Sequence, residues 1–256
     1  MYLFMFSEFF SNLPLFVLQL PVVLLAFSIH ESAHGYAAYK LGDPTARNLG
    51  RLTLNPLKHI DIIGFICMLF FRIGWAKPVP INARNFKNPK WGMAISAAAG
   101  PLSNLFLAMF FAVLLRLEML IVDHLFVEEI ISLYLGSAQV SMAIKMLSIL
   151  AYILFLGVVL NISLAIFNLI PIPPFDGSRI FHVVLPSKWY FKIMRYEQYI
   201  MIALLILLWI MPNTWLTTAT NEISFFILKI FGMPESSTAF SEFAVMFNYI
   251  TQALSF

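Results

Sequence analysis

The sequence predicts an all-α polytopic membrane protein. A three-helix core, at least one further transmembrane helix and a small β-like or re-entrant region between the first two core helices are expected. Of the 256 residues, 61% are hydrophobic and 11% are charged, whereas about a quarter of a soluble domain is charged. The only cysteine, Cys67, excludes an internal disulfide framework or a cysteine-rich zinc site.

Three apolar segments are long enough to cross about 30 Å of hydrocarbon at 1.5 Å per helical residue. They cover residues 13–39, 92–115 and 143–169. Residues 196–211 form a shorter, strongly apolar segment and are the predicted fourth span. The amino-terminal sequence lacks the positive region and cleavage site of a secretory signal, so the first segment is expected to be retained.

Glycine and proline residues break up the region 41–90, which contains two short β-like runs at 49–54 and 62–71. The second run is apolar enough to enter the bilayer. Irregular backbone at that depth must be covered by protein or line a wet cavity, so a sheet or re-entrant loop over the functional site is expected. A further short transmembrane helix at 60–75 is the alternative.

The division expected is a membrane-embedded core at 1–195, followed by a membrane helix and interfacial segments at 196–256. Residues 222–231 are too few to span a bilayer. Residues 239–256 fit an amphipathic interfacial helix or a last span, and the sequence does not decide between them.

Basic residues indicate the orientation. Nine of the 16 lie in residues 40–90 and four more in 179–195, whereas 117–141 holds four acidic residues and no basic one. The positive-inside bias therefore places 40–90 in the cytosol and the amino terminus outside the cell membrane. The net charge of +3 follows from this bias, so the lipid bilayer is the expected partner and no nucleic acid is needed.

His30, Glu31 and His34 form an HExxH motif inside the first apolar segment. Residues four apart share a helix face, so both imidazoles can bind one divalent metal while Glu31 faces a water on that metal. Ionisable side chains are costly in lipid and indicate function by default. The motif predicts zinc-hydrolase chemistry at membrane depth.

A catalytic zinc usually has three protein ligands. Asp176 is a candidate because three prolines just before it unwind the cytosolic end of the third span. His30 lies ten residues before Lys40, about 15 Å from the same membrane edge, so the two half-sites can meet. Surface or interfacial positions are the favoured interpretation of the other histidines, which are His59, His124 and His182.

The chain resembles the site-2 protease family of intramembrane zinc metalloproteases (peptidase family M50), in its compact prokaryotic branch. The resemblance rests on FSIHESAHGYAAYKLGD, NLGRLTLNPLKHID, GWAKPVPINARNF, AAAGPLSNL and NLIPIPPFDGSRI, in that order. It implies that His30, His34 and Asp176 bind one zinc per chain, and that Asn168 matches an asparagine that holds substrate or the oxyanion. No PDZ or CBS domain is detected.

The resemblance implies cleavage of transmembrane segments of membrane-protein substrates toward the cytosolic side. Glu31 is the expected general base, and a protonated structural carboxylate is its alternative. Asn168 is an oxyanion donor or a packing residue. Asn104 and Asn161 are expected to pack between helices or to support a metal ligand.

Two readings other than a protease stay open: a zinc-binding membrane protein or transporter, and a scaffold that does not cleave its partner. Intramembrane aspartyl and rhomboid-like serine proteases would need GxGD or GxSG patterns, which the sequence lacks. Substrate identity and oligomeric state are not readable from the sequence.

Overall fold

The computed structural model describes residues 13–71, 75–126, 141–184, 192, 195–210 and 214–233. Most of this part of the chain is helical. Within these ranges the α-helices, in chain order, are α1 Leu13–Lys40, α2 Thr45–Asn48, α3 Ile62–Phe71, α4 Pro89–Leu125, α5 Met142–Asn168, α6 Asp176–Phe181, α7 Glu197–Ile210 and α8 Thr214–Ile230. Two 3-10 turns lie at Pro56–Lys58 and Ala83–Asn85.

Helices are present at all three predicted long spans, as α1, α4 and α5. They contain 28, 37 and 27 residues, and all three are long and apolar enough to cross a membrane. The second is longer than predicted, since α4 continues to Leu125 through part of the expected 117–141 loop. Charged residues lowered the hydropathy there, but no glycine or proline ends the helix.

The carboxy-terminal segments are also helical where they are described. The predicted fourth span at 196–211 is α7, whose 14 residues reach about 21 Å at helical rise and fall short of the hydrocarbon thickness. A fourth crossing therefore stays a prediction. The short segment predicted at 222–231 is part of α8, which has 17 residues. Residues 239–256 lie outside the described residues.

The β-like prediction for 41–90 is wrong for both runs. Residues 62–71 form α3 and residues 49–54 form turns and irregular backbone. A short apolar run without alternation does not distinguish a strand from a helix. The part of the chain that the structure describes contains no strand, only an isolated bridge between Ile60 and Ala76.

That bridge brings together the two ends of the segment containing α3. The Lys77 N–H donates to the His59 carbonyl at 2.8 Å, so the chain leaves and returns at the same place. Although α3 lies within the alternative span at 60–75, its ten residues cover only about 15 Å. The segment is therefore an excursion with adjacent ends.

The chain forms two compact units. One comprises residues 23–106 and 161–220 and contains the candidate site, and the other comprises residues 1–22, 107–160 and 221–256. Small residues make up much of the core of the first unit, where they let helices approach closely. Four alanines on its three long helices are at most 3% exposed: Ala26, Ala38, Ala97 and Ala165.

Candidate metal centre

The helix α1 places His30 and His34 side by side, as the i, i+4 spacing predicts. Both residues are buried, with 5% and 7% of their surface exposed. Their Nε2 atoms are 3.0 Å apart, and the rings are nearly perpendicular. Two imidazole nitrogens therefore point at one position.

Asp176 joins them from the other end of the sequence. The helix α5 ends at Asn168, the proline-containing turn follows, and α6 begins at Asp176. Its Oδ2 atom lies 3.1 Å from the Nε2 atoms of both His30 and His34. The next residue, Gly177, keeps this connection tight, since a Cβ there would lie 2.3 Å from the Leu169 carbonyl oxygen.

Hydrogen bonds to Nδ1 determine which nitrogen of each ring carries hydrogen. His34 Nδ1 lies 2.7 Å from the Ser96 carbonyl oxygen, and His30 Nδ1 lies 2.5 Å from the amide oxygen of Asn104. Oxygens of this kind only accept, so each Nδ1 donates. In a neutral imidazole the Nε2 atom then presents a lone pair.

With both imidazoles neutral, three hydrogen-bond acceptors converge: two Nε2 lone pairs and one carboxylate oxygen of Asp176. Without a cation such an arrangement is repulsive. The separations of 3.0–3.1 Å are close to the edge of about 3.3 Å expected for a tetrahedron with metal–ligand bonds of about 2.0 Å. Two neutral imidazoles and a carboxylate form a donor set that fits zinc.

Glu31 lies beside this cluster. One of its carboxylate oxygens is within 4.8 Å of a ring nitrogen of each histidine. Its Oε2 atom accepts a hydrogen bond from the main-chain N–H of Val79 at 2.8 Å. The carboxylate is thus fixed next to the three-acceptor cluster.

Three asparagines were predicted near the site, and two of them support it. Asn104 contacts His30 and donates through Nδ2 to Asn161 Oδ1 at 2.8 Å, an arrangement compatible with both expected roles, packing between helices and support of a metal ligand. The amide of Asn168 donates to the Leu164 carbonyl of its own helix at 2.9 Å. Its role at the oxyanion stays a prediction.

Other groups of the site were not predicted. The Val79 N–H and the Ser96 carbonyl belong to the main chain and carry no residue-type signal. Gly100 lies against both imidazoles, because a Cβ there would come within 2.4 Å of His34 Nε2 and 2.7 Å of His30 Cε1. The run AAAG that precedes Pro101 was the available signal for a close approach.

The surface position expected for His59 is wrong. His59 is 2% exposed, and its ring nitrogen Nε2 donates to the Thr53 carbonyl at 2.8 Å. The loop that contains Thr53 folds back over the ring, which sequence hydropathy could not show. His124 is exposed in the last turn of α4, as expected.

Comparison with known proteins gives one family and two relatives. Peptidase family M50 matches residues 18–210. "Putative zinc metalloprotease YwhC" of Bacillus subtilis is 37% identical over 197 residues, which cover 77% of this chain and 81% of that protein. "Putative zinc metalloprotease MJ0611" of Methanocaldococcus jannaschii is 29% identical over 178 residues, covering 69% and 75%. No solved structure matches the chain.

Proposed function

The chain belongs to peptidase family M50 and is a zinc metalloprotease, and we propose that it hydrolyses peptide bonds in transmembrane segments of membrane-protein substrates, toward the cytosolic side of the bilayer. The observation that carries this proposal is the convergence of three acceptors on one point. His30, His34 and Asp176 are the proposed ligands of one zinc per chain. Bound zinc would supply a Lewis acid and a water of lowered pKa.

Glu31 is the proposed general base. It takes the proton of the attacking water and delivers it to the leaving amine. The Val79 N–H supports this role, because it fixes the carboxylate near the metal ligands. Asp176 already completes a three-ligand set with the two histidines, so Glu31 is not needed as a ligand and is left for proton transfer.

Asn168 is the proposed donor to the oxyanion of the scissile carbonyl. Its amide nitrogen now bonds to the Leu164 carbonyl, so the side chain would have to turn from its own helix toward substrate. A backbone carbonyl in a helix already has an N–H partner, so releasing the Asn168 amide leaves Leu164 satisfied. The cost of turning is therefore small.

The depth of cleavage follows from α1. His30 lies ten residues before Lys40 on a continuous helix, which corresponds to about 15 Å from the cytosolic edge. The excess of basic residues in 40–90 supports the cytosolic assignment of that edge. The segment 61–75 fits a re-entrant excursion from that edge, because its ends are adjacent and Ile62, Ile63 and Ile66 of α3 are exposed.

A groove runs along α1 beside the HExxH motif. It has a volume of about 460 Å³ and is lined by Ile29, Ser32 and Tyr36 of α1 and by residues 52–54. Its lining is mostly apolar, and Ser32 donates to the Thr53 carbonyl in its wall. A helical substrate presents no accessible carbonyl, so we propose that a locally unwound segment lies in this groove.

Zinc analysis tests the ligand assignment. Purified wild-type protein should contain close to one zinc per chain, while His34→Ala and Asp176→Ala should lose most of it. His124→Ala, which changes an exposed histidine of α4, is the matched control and should keep the metal. Undiminished zinc in both ligand variants would contradict the assignment.

A comparison in cells tests the activity. Membrane-derived peptides should differ between cells with wild-type protein and cells with Glu31→Gln. Equal peptide patterns, together with full zinc in both proteins, would favour the zinc-binding transporter or the non-cleaving scaffold instead.

A further inference from the structure

Asn104 and Asn161 form a chain of side-chain amides that ends on His30. Asn104 lies on α4 and Asn161 on α5, and neither has any exposed surface. The two contacts measure 2.8 Å between the amides and 2.5 Å between Asn104 Oδ1 and His30 Nδ1. Burying a side-chain amide costs free energy unless its polar atoms are hydrogen-bonded, so the burial of these two amides calls for a physical reason.

The direction of each hydrogen bond can be assigned. Asn161 presents Oδ1 to the Asn104 Nδ2, so the Asn104 amide must turn its own Oδ1 toward His30. An amide oxygen accepts only, so His30 Nδ1 carries the hydrogen. The lone pair of His30 is therefore on Nε2, which faces Asp176.

The two histidines donate this Nδ1 hydrogen bond to acceptors of different kinds. For His34 the acceptor is the Ser96 main-chain carbonyl, which no side-chain substitution removes. For His30 the acceptor is a side chain, whose direction depends on a second side chain. A side-chain substitution can therefore remove the acceptor that orients His30, but not the acceptor that orients His34.

We propose that Asn104 is a positioning residue of the metal centre, which fixes the tautomer and ring orientation of His30, and that Asn161 acts through Asn104 by fixing the direction of its amide. The inference rests on the proposed zinc site of His30, His34 and Asp176. It assigns a role to residues that bind neither metal nor substrate.

Zinc affinity provides the test. The full-length protein in lipid nanodiscs is titrated with a chelator, and retained zinc is measured. Asn104→Leu keeps the approximate volume but removes the acceptor, so zinc affinity should fall by about 10-fold to 100-fold. Asn161→Leu should have a smaller effect of the same sign, because Asn104 then adopts both amide directions.

A conservative variant and a control separate positioning from packing. Asn104→Asp keeps an oxygen acceptor for His30 Nδ1 and should retain most of the zinc affinity. Thr220→Val removes another buried polar group of the same unit, which contacts Ser163, and should leave zinc affinity unchanged. The visible spectrum of the cobalt(II)-substituted protein should change in Asn104→Leu and stay close to wild type in Asn104→Asp.

Wild-type zinc affinity and an unchanged cobalt spectrum in Asn104→Leu would overturn the proposal. If Asn104→Leu does not fold, wild-type zinc affinity in Asn161→Leu would overturn the role of Asn161 in directing the amide. Equal zinc loss in Asn104→Leu and Asn104→Asp would also overturn it, because the acceptor would then be irrelevant. Full zinc in His34→Ala and Asp176→Ala would instead contradict the metal site itself.

Discussion

The carboxylate of Glu31 accepts a hydrogen bond from the main-chain N–H of Val79 at 2.8 Å. Val79 is buried and lies between two prolines, 48 residues from Glu31 in the sequence. A general base must be held within reach of the water from which it takes a proton. The 75–82 segment therefore contributes a main-chain donor to the proposed site.

Replacing Val79 by proline removes this N–H. A hydrogen bond to a charged group contributes about 1.5–3 kcal/mol, so Val79→Pro should lower the cleavage rate by about 10-fold to 100-fold. Zinc content should be unchanged because no ligand is touched. Val79→Ala is the control, since it shortens the side chain but keeps the N–H. Equal rates in the proline and alanine variants would show that the hydrogen bond does not position Glu31.

Gly100 should not tolerate any side chain. In Gly100→Ala the added methyl group would lie 2.4 Å from His34 Nε2 and 2.7 Å from His30 Cε1, so the imidazoles must move and zinc should be lost. Gly157→Ala is the matched control: its methyl group would lie 2.4 Å from the ring of Phe111, outside the unit that contains the site. Full zinc in Gly100→Ala would contradict this geometry.

The proposed metal ligands could be named from the sequence, two of them because local helix geometry brings them together. His30 and His34 are four residues apart on one helix, and Asp176 follows a proline-rich helix end that matches a family motif. The rest of the site depends on tertiary contacts. The Ser96 carbonyl and the Val79 N–H are main-chain groups without a residue-type signal, and the small-residue run before Pro101 does not say what Gly100 lies against.

The wrong β-like prediction for residues 62–71, which form α3, has a similar origin. The run IIGFICMLFF has no polar residue to reveal a period of two or of 3.6. The segment is an excursion because Ile60 pairs with Ala76. These two residues lie before and after α3 in the sequence. A long-range contact of this kind leaves no pattern within either short segment.

Asp43 should make stability depend on pH at acidic values. Burial alone would raise the pKa of Asp43, but hydrogen bonds from Thr45, Asn85 and Asn82 outweigh it and hold the pKa below its ordinary value. Because the pKa of Asp43 is lower in the folded state than in the unfolded state, the charged carboxylate adds stability. This stability is fully present above the unfolded-state pKa of about 3.9. This stability is lost as the pH falls through the lower folded value.

Asp43→Asn should therefore destabilise the protein by about 2–3 kcal/mol at neutral pH. The difference from wild type should shrink below a pH of about 4, where wild type loses the same contribution. Thermal unfolding as a function of pH measures this. Asp123→Asn, at an exposed carboxylate of α4, is the control. A difference that stays constant from pH 7 to acidic pH would contradict the role given to the carboxylate.

The topology can be tested with single cysteines after Cys67 is replaced. Cysteines at Lys58 and Lys77, both exposed, should be labelled from the cytosolic side, because the segment between them returns to its starting point. A cysteine at Glu128 should be labelled from outside, as the positive-inside bias predicts. Labelling of Lys58 and Lys77 from opposite faces would contradict the re-entrant segment, and labelling of all three from one face would contradict the orientation.

The central claim is that Glu31 is the base of a zinc-dependent cleavage within the membrane. The most direct measurement is turnover of one defined transmembrane substrate by purified wild-type and Glu31→Gln protein in the same liposomes, with zinc measured in each sample. An amide cannot accept the proton of the attacking water, so Glu31→Gln should keep zinc and fold but lose activity by about 10²-fold to 10⁴-fold. Wild-type turnover in a zinc-loaded Glu31→Gln protein would contradict the account.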